Sequence, residues 1–143
     1  MSMKKKYKSK PLISDIRDNF KDYKFEFNFP SNFMKMLTGI KPRVIGETDL
    51  NLDLTGYKKE VLELFKQIDN EKNHSFVLST GAKALNGHRW HVYILQDVDL
   101  KNNTLTVKEK RENTPQTLSI DDALKTFKCI VGYLNSDLET AAK

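Results

Sequence analysis

"NGHRWHVYILQDVDLKNNTLTVKEK", residues 86–110, is the stretch on which the fold turns. As a strand over 88–97, its side chains alternate. His88, Trp90, Val92 and Ile94 share one face, and Arg89, His91, Tyr93 and Leu95 share the other. Both faces carry large apolar groups, so this strand is expected at the centre of a core. "DLKNNT" reads as the turn of a hairpin, because asparagine tolerates the left-handed backbone that such a turn needs. The returning run "TLTVKEK" puts Leu105, Val107 and Glu109 on one face.

Upstream of the hairpin, "GYKKEVLELFKQIDNEKN" predicts the longest helix. Tyr57, Val61, Leu64, Phe65 and Ile68 recur at the spacing of a core-facing stripe. "HSFVLST" follows as a strand beginning at His74, expected as a histidine near solvent at a strand end. Nearer the start, "PLISDIRDNFKDY" has helical spacing. "KFEFNF" alternates as a strand carrying Phe25, Phe27 and Phe29 on one face. Ser31 is expected to cap a short helix "NFMKMLT" closed by Gly39, and Arg43–Ile45 to form a short strand. Downstream, "SIDD" is a capping box that launches a helix with Ile120, Leu124 and Phe127 facing inward, and "CIVGYL" closes the sheet as a buried strand. The expected class is therefore α+β. N-terminal helices lead into a mostly antiparallel sheet of about four or five strands, ending in a late helix and a closing strand.

Composition bounds the rest. A chain of 143 residues fits one domain, and eight Phe, five Tyr and one Trp supply a core. The formal charge of +5 comes from 24 basic against 19 acidic residues. Five lysines within "MSMKKKYKSK" account for that excess, so residues 11–143 are balanced at 19 of each sign. We therefore expect a basic flexible tail over 1–10 and a single domain over 11–143. Specific nucleic-acid binding is not expected, since its charge belongs on the folded surface. Weak contact of the tail with an anionic surface is compatible with it. No apolar run reaches transmembrane length, and the start has no signal-peptide core. With one cysteine, the expected setting is cytoplasmic, or export without a cleaved signal. Abundant Lys and Asn associate the chain with an AT-rich bacterial genome.

The chemistry-bearing residues cluster in the opening stretch. Two of the three histidines and the lone tryptophan fall within residues 88–91. A separation of three puts His88 and His91 on opposite faces of a regular strand, so they do not chelate a metal together, and no metal or other cofactor is expected. If the hairpin register brings Glu109 onto the face of His88, a carboxylate can orient the imidazole, as in a catalytic triad. "LSTGAKALNG" offers Ser79 and Thr80 before Gly81 but lacks the Gly-Lys-Ser/Thr ending of a phosphate loop.

"GHRWHVYILQDVDLKNNTLTVKEKREN" resembles the histidine–hairpin–acid unit of cysteine-protease-like folds. "SIDDALKTF" followed by "CIVGYL" is similar to the helix and closing strand that end papain-like peptidases. The likeness covers about the last 70 residues. It implies His88 (or His91) as base, Glu109 as orienter and Cys129 as the available nucleophile, for a hydrolase or acyl-transferase. The pattern departs where the nucleophile belongs. Papain-like enzymes carry a cysteine upstream at a helix start, and residues 1–128 contain none. Cys129 instead heads an apolar strand, where burial disfavours the thiolate.

Two readings follow. The first is a non-catalytic protein-interaction module of bacterial effector, immunity or adaptor type, whose partner is another protein. Its candidate surface is an exposed aromatic and methionine patch in "KFEFNFPSNFMKM", with Phe33 and Met34 as its core. The second is the cysteine-protease-like enzyme using His88, Glu109 and Cys129.

Overall fold

The hairpin forms, and its register reveals a feature that alternation alone does not show. The computed structural model describes residues 30–46, 52–80, 92–109 and 114–142. The predicted helix at 11–23, the predicted strand at 24–29, and His88, Trp90 and His91 lie outside the described residues. Within the hairpin, β3 (Val92–Asp99) pairs antiparallel with β4 (Thr104–Glu109). Leu95 stands opposite Val107, but Asp97 stands opposite Thr106, so Gln96 is the extra residue of a β-bulge. Before the bulge, Tyr93 and Leu95 point into one core while Val92 and Ile94 point into a second on the other side of the sheet. Beyond it, Val98 rejoins the side of Tyr93 and Leu95, opposite Leu105. The bulge keeps three large side chains of an irregularly spaced strand in one core, and leaves Gln96 and Asp97 in solvent. At the tip, Asn103 takes the left-handed conformation expected of it, with φ of 57°.

The protein is α+β. Among the described residues the sheet has six strands, one or two more than the sequence led us to expect, in the order β1-β6-β2-β3-β4-β5, with every neighbouring pair antiparallel. The remaining strands are β1 (Arg43–Ile45), β2 (His74–Ser79), β5 (Gln116–Ser119) and β6 (Cys129–Leu134). β2, β3 and β4 form the anticipated antiparallel run, and β5 extends it by one strand. The late strand β6 does not close an edge; it enters between β1 and β2, where all six of its residues are buried. That position explains its unbroken apolar sequence, because a strand covered on both faces has no polar side.

One face of the sheet is covered by α2 (Lys58–Glu71), by the 3-10 turn Leu54–Tyr57 that leads into it, and by α3 (Ile120–Thr126). Val61, Leu64, Phe65 and Ile68 of α2 form the predicted stripe and meet Phe76, Leu78, Tyr93, Leu95 and Ile130. Tyr93 also meets Phe127 edge-on, with ring centroids 5.6 Å apart. The Ser119 hydroxyl caps α3 by accepting from the Asp122 N–H at 3.0 Å, as the capping motif predicts. The other face takes α1 (Pro30–Thr38) and α4 (Asn135–Ala142), through Met34 and Leu138 against Val77, Val131 and Tyr133. α1 begins at Pro30, one residue before the expected cap, because the fixed φ of proline suits the first helical turn. It ends, as expected, at Gly39, whose φ of +74° only glycine adopts without cost.

Candidate functional site: the open edge beside helix α2

The structure separates Glu109 from Cys129, two of the residues that the cysteine-protease resemblance brings together. Glu109 stands directly opposite Tyr93, so it lies on the face of Tyr93, Leu95, Leu105 and Val107. Orienting His88 needs Glu109 on the face of Val92 and Ile94; the register places it on the other face, to which alternation assigns the second candidate base, His91. His88 itself lies outside the described residues. Cys129 sits on β6, with β2 and β3 between it and β4, a separation of about 14 Å at the usual strand spacing. Its side chain also projects into the second core, among Val77, Val92, Ile94 and Val131, away from the face of Glu109. The thiol is 4 % exposed and lies 2.8 Å from the Ser79 hydroxyl, its cross-strand neighbour. Glu109 and Cys129 therefore share neither a face nor a strand pair.

The aromatic–methionine patch is corrected in part. Met34 is fully buried, because helical spacing turns Met34, Leu37 and Thr38 together onto the sheet. Met36, at 75 % exposure, is the methionine that α1 shows to solvent. Phe33 lies in α1, but its side chain is outside the described set. His74, expected near solvent, is buried at the start of β2, opposite Leu134 and 6.3 Å from the Phe76 ring. Among the described residues no group of His, Cys, Asp or Glu is arranged to hold a metal, and no helix is long and apolar enough to cross a membrane.

What the fold does present is the outer edge of β1. The chain is delivered to that edge by a latch at the end of α1. The Thr38 hydroxyl lies 2.8 Å from the Tyr133 hydroxyl, which donates to the Ile40 carbonyl at 2.5 Å. The Thr38 hydroxyl also accepts from the Ile40 N–H at 2.9 Å and lies 3.0 Å from the Met34 carbonyl oxygen. Burial dominates at Tyr133 and pushes its phenol up to about 12. From this anchor the chain passes Pro42 into β1, which pairs with β6. Gly132, opposite Arg43 and Phe76, permits the close approach of strands here. A Cβ at this position would overlap the Ser75 carbonyl oxygen and stand 2.6 Å from Phe76 Cα.

A second set of bonds fixes the corner. Arg43 Nε and Nη2 donate to the two carboxylate oxygens of Asp137 at 2.8 Å each, and Nη1 donates to Gln67 Oε1 at 3.3 Å. Asp137 also accepts the Leu134 N–H at 2.9 Å. Burial works against its charge, but the Arg43 guanidinium and that N–H outweigh it and hold the carboxyl below its ordinary value. The bond to Asp137 in turn raises Arg43. Glu71 of α2 accepts from the N–H and hydroxyl of Ser136, so α4 is tied to both β1 and α2.

Between β1 and α2 these ties leave an open groove of about 610 Å³. Arg43–Ile45 form one wall, Lys59, Glu60, Glu63 and Gln67 the other, and Leu64 contributes apolar surface. Val44 is 37 % exposed, and Ile45 is half-buried against the first core. Among the described residues the backbone of Arg43–Ile45 has no strand partner other than β6. A sequence signal for this site existed only in part. "RVI" was legible as a strand, but that it forms an edge depends on where β6 inserts.

Fold and edge together define an α+β protein with a groove beside a short strand that, among the described residues, borders the sheet. The chain matches no protein-family model and no curated protein.

Proposed function

We propose that the protein is a non-catalytic protein-interaction module, of bacterial effector, immunity or adaptor kind, that engages another protein through the β1 edge and its groove. The observation that carries this reading is that β1 pairs, among the described residues, on one side only, next to a groove of about 610 Å³. Exposed strand edges are templates for another chain, and proteins that do not use them cover or blunt them. The separation of Glu109 from Cys129, on different faces and non-adjacent strands, also supports a binding role over the hydrolase alternative. The order of hairpin, α3 and β6 supports reading the cysteine-protease likeness as one of architecture, without a nucleophile.

The test is affinity capture from the source cell with the wild-type chain and with the double variant Glu60→Arg, Glu63→Arg, followed by mass spectrometry. The same partner should be recovered by the wild type and lost by the variant. Iodoacetamide applied to the native protein at neutral pH should leave Cys129 unlabelled. Rapid labelling, with a hydrolytic activity abolished by Cys129→Ala, would overturn the non-catalytic reading.

A further inference from the structure

We propose that α4 is a clasp on β1. The two come off the sheet together while the other strands stay paired, so the β1 edge and its groove exist only while α4 is docked. The bearing on binding rests on the interaction reading above; the opening itself does not. Three observations carry it.

First, neither element holds itself in place. β1 is three residues long and, among the described residues, pairs with β6 alone. Val44 is largely open to solvent, Ile45 is half-buried, and Arg43 directs its side chain to polar partners. So short a ladder is marginal without further contacts. α4 has eight residues, below the roughly 12–15 at which an isolated helix persists, and Leu138 is the one described side chain that it places in a core. β6 differs, since all six of its residues are buried and paired with β2.

Second, the two elements lean on each other. Arg43 takes both carboxylate oxygens of Asp137, and that carboxylate also accepts the Leu134 N–H where β6 runs into α4. An exposed ion pair ordinarily adds little. Here the contact is two-pronged and the Asp137 side chain is 21 % exposed, which puts the pair among the stronger, charge-assisted bonds. Their remaining polar ties go to adjacent turns of α2: Arg43 to Gln67, and Ser136 to Glu71.

Third, the chain is pinned around the pair, which sets limits to the opening. Before β1 stands the latch of Thr38, Tyr133 and the Ile40 carbonyl. Beyond it, the Leu54 N–H donates to the Phe127 carbonyl at 3.0 Å. On the other side the limit is β6, held by β2. Opening removes Arg43–Ile45, one wall of the groove, and bares the outer side of Ile130–Gly132. By reciprocity, anything bound to the β1 edge must hold α4 down as well.

The test is hydrogen exchange of the full chain, read amide by amide with low denaturant. Protected amides in 43–45 and 139–142 should respond alike to denaturant and exchange at least about tenfold faster than those of 76–78. A substitution speeds exchange through an opening only where the opening breaks its contacts. Leu138→Ala should therefore speed 43–45 by about fivefold or more, and Arg43→Met should do the same for 139–142. Leu118→Ala, in β5, should speed 76–78 but leave 43–45 and 139–142 within about twofold. In the background Arg43→Met with Asp137→Asn, Leu138→Ala should no longer reach 43–45. If Leu138→Ala does not fold, Ser136→Ala, which removes the hydroxyl tie to Glu71, is read in the same way.

Acceleration confined to the element that carries the substitution would overturn the proposal, since β1 and α4 would then open separately. Acceleration of 43–45 by Leu118→Ala would overturn it too, because β1 would open only with the whole sheet. An effect of Leu138→Ala on 43–45 that survives loss of the Arg43–Asp137 pair would remove the clasp. None of these outcomes touches the interaction reading, which falls instead if affinity capture is independent of Glu60 and Glu63.

Discussion

Arg43 and Asp137, 94 residues apart in the chain, meet in a pair in which two guanidinium nitrogens each contact one carboxylate oxygen at 2.8 Å. The pair joins the border strand to the last helix, and through Gln67 it reaches α2 as well. The edge that we propose as a binding surface is held in place by contacts that are remote in sequence.

Removing the carboxylate should be felt as both a loss of stability and a change in its pH dependence. The Asp137 carboxyl is depressed in the folded state, so it contributes stability that is present above the unfolded carboxylate value of about 3.9 and lost as pH falls through the lower, folded value. Asp137→Asn is expected to cost about 1–2 kcal/mol near neutrality and to flatten the acid limb below about pH 4. Urea denaturation between pH 2 and 7 checks this, and an unchanged acid limb would refute it.

Tyr133 predicts the opposite limb. Its phenol is raised to about 12 by burial, so the native state holds its proton after the unfolded chain has released it at about 10. That contribution is fully present below pH 10 and disappears as pH rises through about 12. Tyr133→Phe should abolish this alkaline loss. It should also lower stability near neutrality by about 1–2 kcal/mol, because the Ile40 carbonyl and the Thr38 hydroxyl each lose a partner. Denaturation curves from pH 8 to 12.5, read against the wild type, decide it.

Gly132→Ala tests the close approach of the central strands. The added methyl would meet the Ser75 carbonyl oxygen as well as Phe76, so backbone must move. The expected cost is about 3 kcal/mol or more, above the usual range of overpacking because the obstacle is not a side chain. Phe76→Ala in the same chain should not restore stability. Full rescue by that second change would show that the ring alone sets the requirement.

The bulge yields a deletion experiment. Gln96 is the extra residue between Leu95 and Asp97, so removing it should give a regular strand that still presents Tyr93, Leu95 and Val98 to one core. A loss under about 2 kcal/mol is expected. Removing Ile94 should unfold the protein, because every side chain on one side of the deletion changes face. Circular dichroism melts of the two deletions separate these outcomes.

Local patterning carried much of the fold into the sequence. The α2 stripe, the Ser119 cap, the Asn103 turn and the buried run 129–134 all express short-range preferences, and each was readable. β5 was missed because "QTLS" is four residues long, and Leu118 is its only large apolar residue. α4 was missed because "NSDLETAA" commits only Leu138 among its described side chains to a core. Register and strand order are different in kind. Whether Glu109 faces Val92 or Tyr93 depends on a pairing that alternation leaves open, and a shift by one residue reverses the answer. The groove is less legible still. It exists because β6 enters beside β1, a long-range choice that no window around "RVI" contains.

That insertion also sets an order of events as the chain is made. β1 has no neighbour in the described sheet until residues 129–134 exist, although it is completed more than eighty residues earlier. The pairing of this strand with the sheet must therefore form late, only once residues 129–134 have been made. A nascent or prematurely terminated product ending before residue 129 would have the β2–β5 strands without β6, their neighbour in the described sheet, and without the strand on which β1 docks. Such a product offers a different and much larger edge, and is the form in which self-association of this sequence is most to be expected.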